Sequence, residues 1–215
     1  MDSSITSQNR MGFNVANRAE IAFTWSMKDE LNDEQLMLKY SKGDVSAFEK
    51  LYLKHKGGLF RYCARQFKSS AVAEECFQEI WMKVINNRTR YQPKALFTTY
   101  LYRIAQNHVI DIYRKEKKRQ SDCEFVEETV SIDIELQRVE SDEKQHQILR
   151  IKELRKQIAL LPFEQRNTLL LKLDAGLSLD EISSILNCGK ETVKSRLRYA
   201  TNKLKELLTE PLGVN

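Results

Sequence analysis

Seven residues close to the C-terminus, Lys190, Thr192, Lys194, Ser195, Arg196, Arg198 and Tyr199, fall on one side of a helical repeat whose other side is Val193, Leu197, Ala200 and Leu204. The apolar set recurs at the three-and-four spacing of a buried stripe, which leaves the seven facing outward. Hydroxyls and cations at the start of a helix are the chemistry of duplex DNA: the cations hold phosphates, and the first-turn side chains reach base edges in the major groove. From Lys190 to Glu206 six cations stand against Glu191 and Glu206, a net charge of +4. A basic helix alone is more often solvated surface, so the residues before it decide the matter. Ser178 and Glu181 make an S-x-x-E capping box that opens a short helix through Leu186, and Asn187-Cys188-Gly189 supplies a tight turn. The run from Leu177 to Leu208 therefore reads as a helix-turn-helix.

A second group interleaves aromatics with cations: Tyr91, Lys94, Phe97, Tyr100, Tyr102, Arg103, Asn107, Tyr113, Arg114 and, further on, Lys118. With Leu101, Ile104 and Ile112 assigned to the inner face, several of these rings are surplus to a core. Surplus rings beside cations stack unpaired bases, each worth about 1–3 kcal/mol, and unstacking a duplex step costs a similar amount. The expected chemistry is capture of single-stranded DNA, with Phe97 the best candidate for a purely structural ring. A third group is the polar stripe Glu74, Glu75, Gln78 and Glu79, flanked by Trp81 and Lys83. An aromatic with a charged rim is a common protein-contact pattern.

The elements that must carry these groups are helices. Charged residues make up 30% of the 215 positions, against seven Gly and three Pro, a balance suited to surface-charged helices. Asp44 is a good N-cap for a helix with Phe48, Leu51, Tyr52, Leu59 and Tyr62 on one face. Ser69-Ser70 caps the next, which carries Val72, Ala73, Cys76, Phe77, Ile80 and Val84, and a third runs from about Thr98 to Lys118. From Ser121 to Glu143 nine carboxylates stand against Arg138 alone, a net charge of −8 that resists packing and reads as a flexible linker. Beyond it Ile148, Ile151, Leu154, Ile158 and Leu161 form one helix, and Leu169, Leu170 and Leu173 lie on another that Gly176 terminates. The fold class is all-α: a loose extension over 1–30, one helical domain over 31–119, an acidic linker over 120–143 and a second small helical domain over 144–210.

Other chemistries find little support. His55, His108 and His146 lie on separate segments, the four cysteines form no metal-spaced set, and no Gly-rich phosphate loop is present, so neither an enzyme nor a metal or cofactor site is expected. The cysteines read as reduced thiols, and the absence of a signal-like or membrane-spanning run points to the cytoplasm. The net charge of +5 permits a polyanionic partner without specifying one.

Four segments, in order, closely resemble the bacterial sigma-70 family of extracytoplasmic-function (ECF) type: Ala73–Trp81 (AEECFQEIW), Thr99–Ala105 (TYLYRIA), Leu161–Arg166 (LPFEQR) and Thr192–Leu197 (TVKSRL). The resemblance covers roughly residues 35–208 and implies that the first domain is sigma region 2 and the second sigma region 4. It implies a subunit that binds core RNA polymerase and directs promoter opening, without catalytic residues of its own. Glu74, Glu75, Gln78 and Glu79 then correspond to the contact with the clamp helices of the largest polymerase subunit, the aromatic and basic segment to capture of the −10 strand, and the last helix to the −35 duplex. Further implied partners are the polymerase flap region and an anti-sigma factor, while the acidic linker follows the RNA exit path. Tyr100 stands where the family often has Trp, and Gly189-Lys190-Glu191 replaces a commoner Pro-containing turn. The runner-up reading is a stand-alone helix-turn-helix regulator that binds operators without polymerase.

Overall fold

A computed structural model describes residues 31–122 except 68, and 151–209 except 152; from Asp33 onward they belong to one unit. The extension over 1–30 and most of the acidic segment, 123–143, lie outside the described residues. Among those described there is helix and no strand. The first is α1, Asp33–Ser41, which the sequence reading did not anticipate. At nine residues it is too short for a sustained period, yet Leu36, Met37 and Tyr40 occupy one face and are buried against α2, Val45–Gln66. Asp33 fastens the pair, with one carboxylate oxygen 2.7 Å from Lys54 Nζ and the other 2.8 Å from His55 Nε2. These contacts hold its carboxyl below the usual range against the opposing effect of burial, the largest single influence.

Helix α2 starts where Asp44 accepts from the Ala47 N–H, and α3, Ser70–Asn86, where Ser69 accepts from the Val72 N–H. A 3₁₀ turn, Arg88–Arg90, leads through Pro93 to α4, Phe97–Asp122. Helix α4 runs four residues past Lys118 and takes the first residues of the acidic segment with it. Its start is held from α1, because the Phe97 N–H, one of the four orphan donors of a helix N-terminus, donates to Glu34 Oε1. Met37, Leu51, Leu59, Tyr62, Ile80, Val84, Phe97, Leu101 and Val109 fill the core of this domain. Ile104 and Ile112, assigned inward from the sequence, are only half-buried, and Gln106 is buried in their place.

The second domain begins with α5, residues 153–159, which buries Ile158, while Ile151, ahead of that run, is exposed. Then come α6, Phe163–Leu173, α7, Leu179–Leu186, and α8, Lys190–Thr209. Leu169, Leu170 and Leu171 are buried in succession because α6 packs against α8, α7 and α2 at once. Leu173, expected inside, lies past these contacts and is exposed. Gly176 takes the left-handed backbone with φ +67° just after α6. The capping box is complete: the Glu181 N–H donates to Ser178 Oγ and the Ser178 N–H to Glu181 Oε2, an arrangement worth about 1 kcal/mol. The turn of the helix-turn-helix is set by Asn187, at φ 49°, one of the few side chains that tolerates left-handed backbone.

Candidate nucleic-acid interface

Helix α8 is seated by Val193, Ala200 and Leu204, with Leu197 half-buried. That seam turns Lys190, Thr192, Lys194, Arg198 and Tyr199 to solvent and leaves Ser195 and Arg196 half-covered. Each cation has a local companion. Lys190 lies 2.8 Å from Asp180, Lys194 lies 2.7 Å from Glu191, and the Arg198 guanidinium sits 5.3 Å from the centre of the Tyr199 ring. Lys194 holds the Glu191 carboxyl below its ordinary range. Exposed pairs of this kind contribute little to stability, so neither carboxylate ties its cation down. Arg196 differs: it reaches sideways, 2.9 Å from Glu164 on α6 and 3.8 Å from Cys188 Sγ in the turn, and so braces the motif as well as facing outward.

The aromatic and basic segment is less exposed than its composition suggests. Tyr91 retains 7% of its surface, Tyr102 2% and Phe97 none. These three are core residues, and the count of surplus rings was too high because α4 is covered on more than one side, by α1, α2 and α3 of its own domain and by α7 of the second. Phe97 packs with His55, Tyr91 and Tyr100 at centroid distances of 5.3, 6.4 and 6.1 Å. Burial, then the Glu34 carboxylate, pushes the Tyr91 hydroxyl up to about 12. Tyr113 stacks on Phe163 of α6 at 4.2 Å and 14°. Tyr100, half-buried, remains the ring nearest solvent at the head of α4, with Lys94, Arg103, Asn107, Arg114 and Lys118 exposed. Around it opens a cleft of about 390 Å³ whose walls include Asn87, Arg90, Lys94, Thr99, Tyr100 and Arg103. Arg90 and Thr99 were not among the residues singled out from sequence; the basic run Arg88-Thr89-Arg90 was the available signal.

On α3, Glu74, Glu75, Gln78 and Glu79 are all exposed. The two residues flanking this stripe do not belong to it. Trp81 is 4% exposed and packs edge-on against Phe48 and Tyr52, 5.7 and 5.1 Å away, because it shares the inward face with Phe77 and Val84. Lys83 turns to α4, its Nζ 2.7 Å from His108 Nδ1, and burial followed by this cation lowers the His108 pKa. The apolar member of the exposed face is instead Met82, 49% exposed and in helical register with Glu75, Gln78 and Glu79. Cys63 and Cys76 are buried beside each other, and that contact, then burial, pushes the Cys63 thiol up, which suits inert structural thiols.

A helix-turn-helix with a cationic outer face on the second domain, a basic cleft on the first and an acidic stripe apart from both define a DNA-reading transcription protein. The comparisons narrow the class. The sigma-70 region 2 model matches residues 51–119 and the sigma-70 region 4 model residues 151–204. The chain is 29% identical over 185 residues to the ECF RNA polymerase sigma factor SigW of Bacillus subtilis, covering 84% of this chain and 99% of that one. It is 28% identical over 194 residues to the RNA polymerase sigma-H factor of Pseudomonas aeruginosa, covering 86% and 98%. Among solved structures, the Bartonella quintana sigma factor RpoE, in complex with the anti-sigma factor NepR, superposes with a TM-score of 0.62 at 22% identity, covering 76% of this chain and 97% of that one. CnrH, in complex with the cytosolic domain of CnrY, gives 0.60 at 19%, covering 82% and 96%. The chain belongs to the sigma-70 family, ECF type, and acts with RNA polymerase in promoter recognition and transcription initiation.

Proposed function

We propose that the three exposed faces divide the work of initiation. Lys190, Thr192, Lys194, Ser195, Arg198 and Tyr199 on α8 read the −35 element as duplex, with Arg196 positioning the helix through Glu164. The cleft around Tyr100, together with Lys94, Arg103, Asn107, Arg114 and Lys118, takes the −10 strand. The face of Glu74, Glu75, Gln78, Glu79 and Met82 docks on the clamp helices of the largest polymerase subunit, and the second domain reaches the flap region. The observation that carries this reading is the segregation of charge: acids line the exposed face of α3, and cations line α8 and the exposed side of α4. Domain limits of 31–119 and 144–210 follow the same division. The protein works in the cytoplasm and contributes binding rather than bond-making chemistry; no helix among the described residues is long and apolar enough to cross a membrane. An anti-sigma factor is the expected regulator, since the two structural relatives are complexes with such a protein or with the cytosolic domain of CnrY.

Native gel comigration with core RNA polymerase separates this reading from a free-standing regulator. The chain is expected to shift with core and to bind promoter duplex only weakly without it. Replacing Glu75 and Gln78 by Lys, which inverts the charge of the stripe without touching a buried atom, lowers core affinity at least 10-fold, each lost contact being worth about 1–2 kcal/mol. Undiminished comigration of this variant removes the stripe from the interface.

A further inference from the structure

Helices α2, α3 and α7 are each capped by the residue beside them, and α4 is not. Asp44, Ser69 and Ser178 accept from a backbone N–H of the helix they open. Ahead of α4 stands Leu96, whose carbonyl accepts the first helical bond, from the Tyr100 N–H at 3.1 Å, and whose side chain is apolar and exposed. It has no oxygen to offer an orphan donor. The acceptor comes instead from 63 residues earlier, where Glu34 Oε1 takes the Phe97 N–H. Glu34 is itself held in place: Asp33 beside it is fixed to Lys54 and His55 at 2.7 and 2.8 Å, and Leu36, Met37 and Tyr40 on the same helix are buried.

At the other end of α1, the Tyr40 ring lies 6.0 Å from the Arg88 guanidinium of the 3₁₀ turn. At about 1.5 Å per residue these two attachments are about 9 Å apart along one short helix. They reach both walls of the α4 cleft. The 3₁₀ turn belongs to the wall of Asn87, Arg90 and Lys94, and Phe97 opens the helix that supplies Thr99, Tyr100 and Arg103. The connection between the walls, residues 91–96, forms no helix, and α1 bridges them. We propose that Glu34 is a positioning residue for strand capture: by tying the head of α4 to α1, it sets the distance across the cleft at which Tyr100 and Arg103 meet an unpaired base and its phosphate. The proposal rests on the assignment of the α4 cleft to the −10 strand. Ring stacking and a guanidinium–phosphate pair both depend on close, oriented approach, so a shift of the helix head weakens the two together.

The test compares full-length chains, bound to core polymerase, on a fork-junction DNA that presents the −10 strand unpaired, with the stability of each chain measured in parallel. Glu34→Ala leaves the buried side of α1 intact and should weaken fork binding about 10-fold, the worth of one hydrogen bond to a charged acceptor, with −35 duplex affinity and comigration with core unchanged. Glu34→Gln keeps an acceptor oxygen and should hold fork binding within about 3-fold of the natural chain. Two further chains separate positioning from capping. Ser69→Ala removes a local cap at the end of α3 remote from the cleft and should leave fork binding intact. Leu96→Ser added to Glu34→Ala gives α4 a cap of its own; stability should recover while fork binding stays low. Undiminished fork binding in Glu34→Ala, its full recovery in the double variant, or an equal loss in Ser69→Ala overturns the positioning role. If Tyr100→Ala and Arg103→Ala leave fork binding undiminished, the assignment of the cleft to the strand fails, and the proposal with it.

Discussion

Replacing Phe97 by alanine is expected to destabilise the free chain by about 3–5 kcal/mol, the range for emptying a fully buried phenylalanine site. The ring has no exposed surface and joins three elements, touching His55 on α2, Tyr91 in the connection and Tyr100 on its own helix. Its backbone N–H is also the donor that Glu34 accepts, so a collapse at this site loosens α1 as well as the head of α4. Urea or thermal unfolding followed by circular dichroism measures the loss. The informative companion is Tyr100→Ala, on a half-buried ring at the cleft wall. It should change stability little while costing promoter opening about 1–3 kcal/mol, the worth of one base-stacking ring. Unchanged stability in Phe97→Ala together with lost opening would return Phe97 to the DNA-contacting set.

The second large effect is expected at α8. Lys194 and Arg198 are exposed, and their companions, Glu191 and Tyr199, are exposed with them, so neither cation supports the packing of the motif. Replacing both by alanine should lower the affinity of the polymerase-bound protein for a −35-containing duplex about 100-fold, with contacts valued at about 1–3 kcal/mol each. The slope of log K against log salt should fall by about 2 where both cations meet phosphate. Comigration with core should be unaffected, because the acidic stripe lies on α3. Arg196→Ala is a poorer probe, since losing the Glu164 and Cys188 contacts shifts the helix itself. Full affinity in the double variant would mean that α8 does not read DNA.

What could be read from sequence was local. Asp44, Ser69 and the Ser178–Glu181 box announce helix starts because the cap and its acceptor lie within three residues, and each sits where the residues alone placed it. The outward face of α8 was equally legible, since one buried stripe defines it. Misjudged residues are those whose surroundings come from far along the chain. Tyr102 is buried because Tyr62 packs edge-on against it at 5.4 Å and the Asp174 carbonyl lies beside its hydroxyl, neighbours 40 and 72 residues away. Asn167, fully buried, finds its partners in Tyr62 and Gln66, more than 100 positions earlier, and no periodicity distinguishes such an asparagine from a surface one. Trp81 looked like the centre of a contact patch because its neighbours in sequence are acidic; its neighbours in space are Phe48 and Tyr52. Helix α1 escaped notice because two turns carry too few apolar residues to establish a period.

Run-off transcription tests the central claim most directly: core RNA polymerase with and without this chain, on a template carrying the region upstream of its own gene. The expected result is a discrete transcript only when the chain is present, lost when Lys194 and Arg198 are replaced and reduced by Tyr100→Ala. A chain that binds that duplex tightly by itself, fails to comigrate with core and leaves transcription by core unchanged would contradict the account.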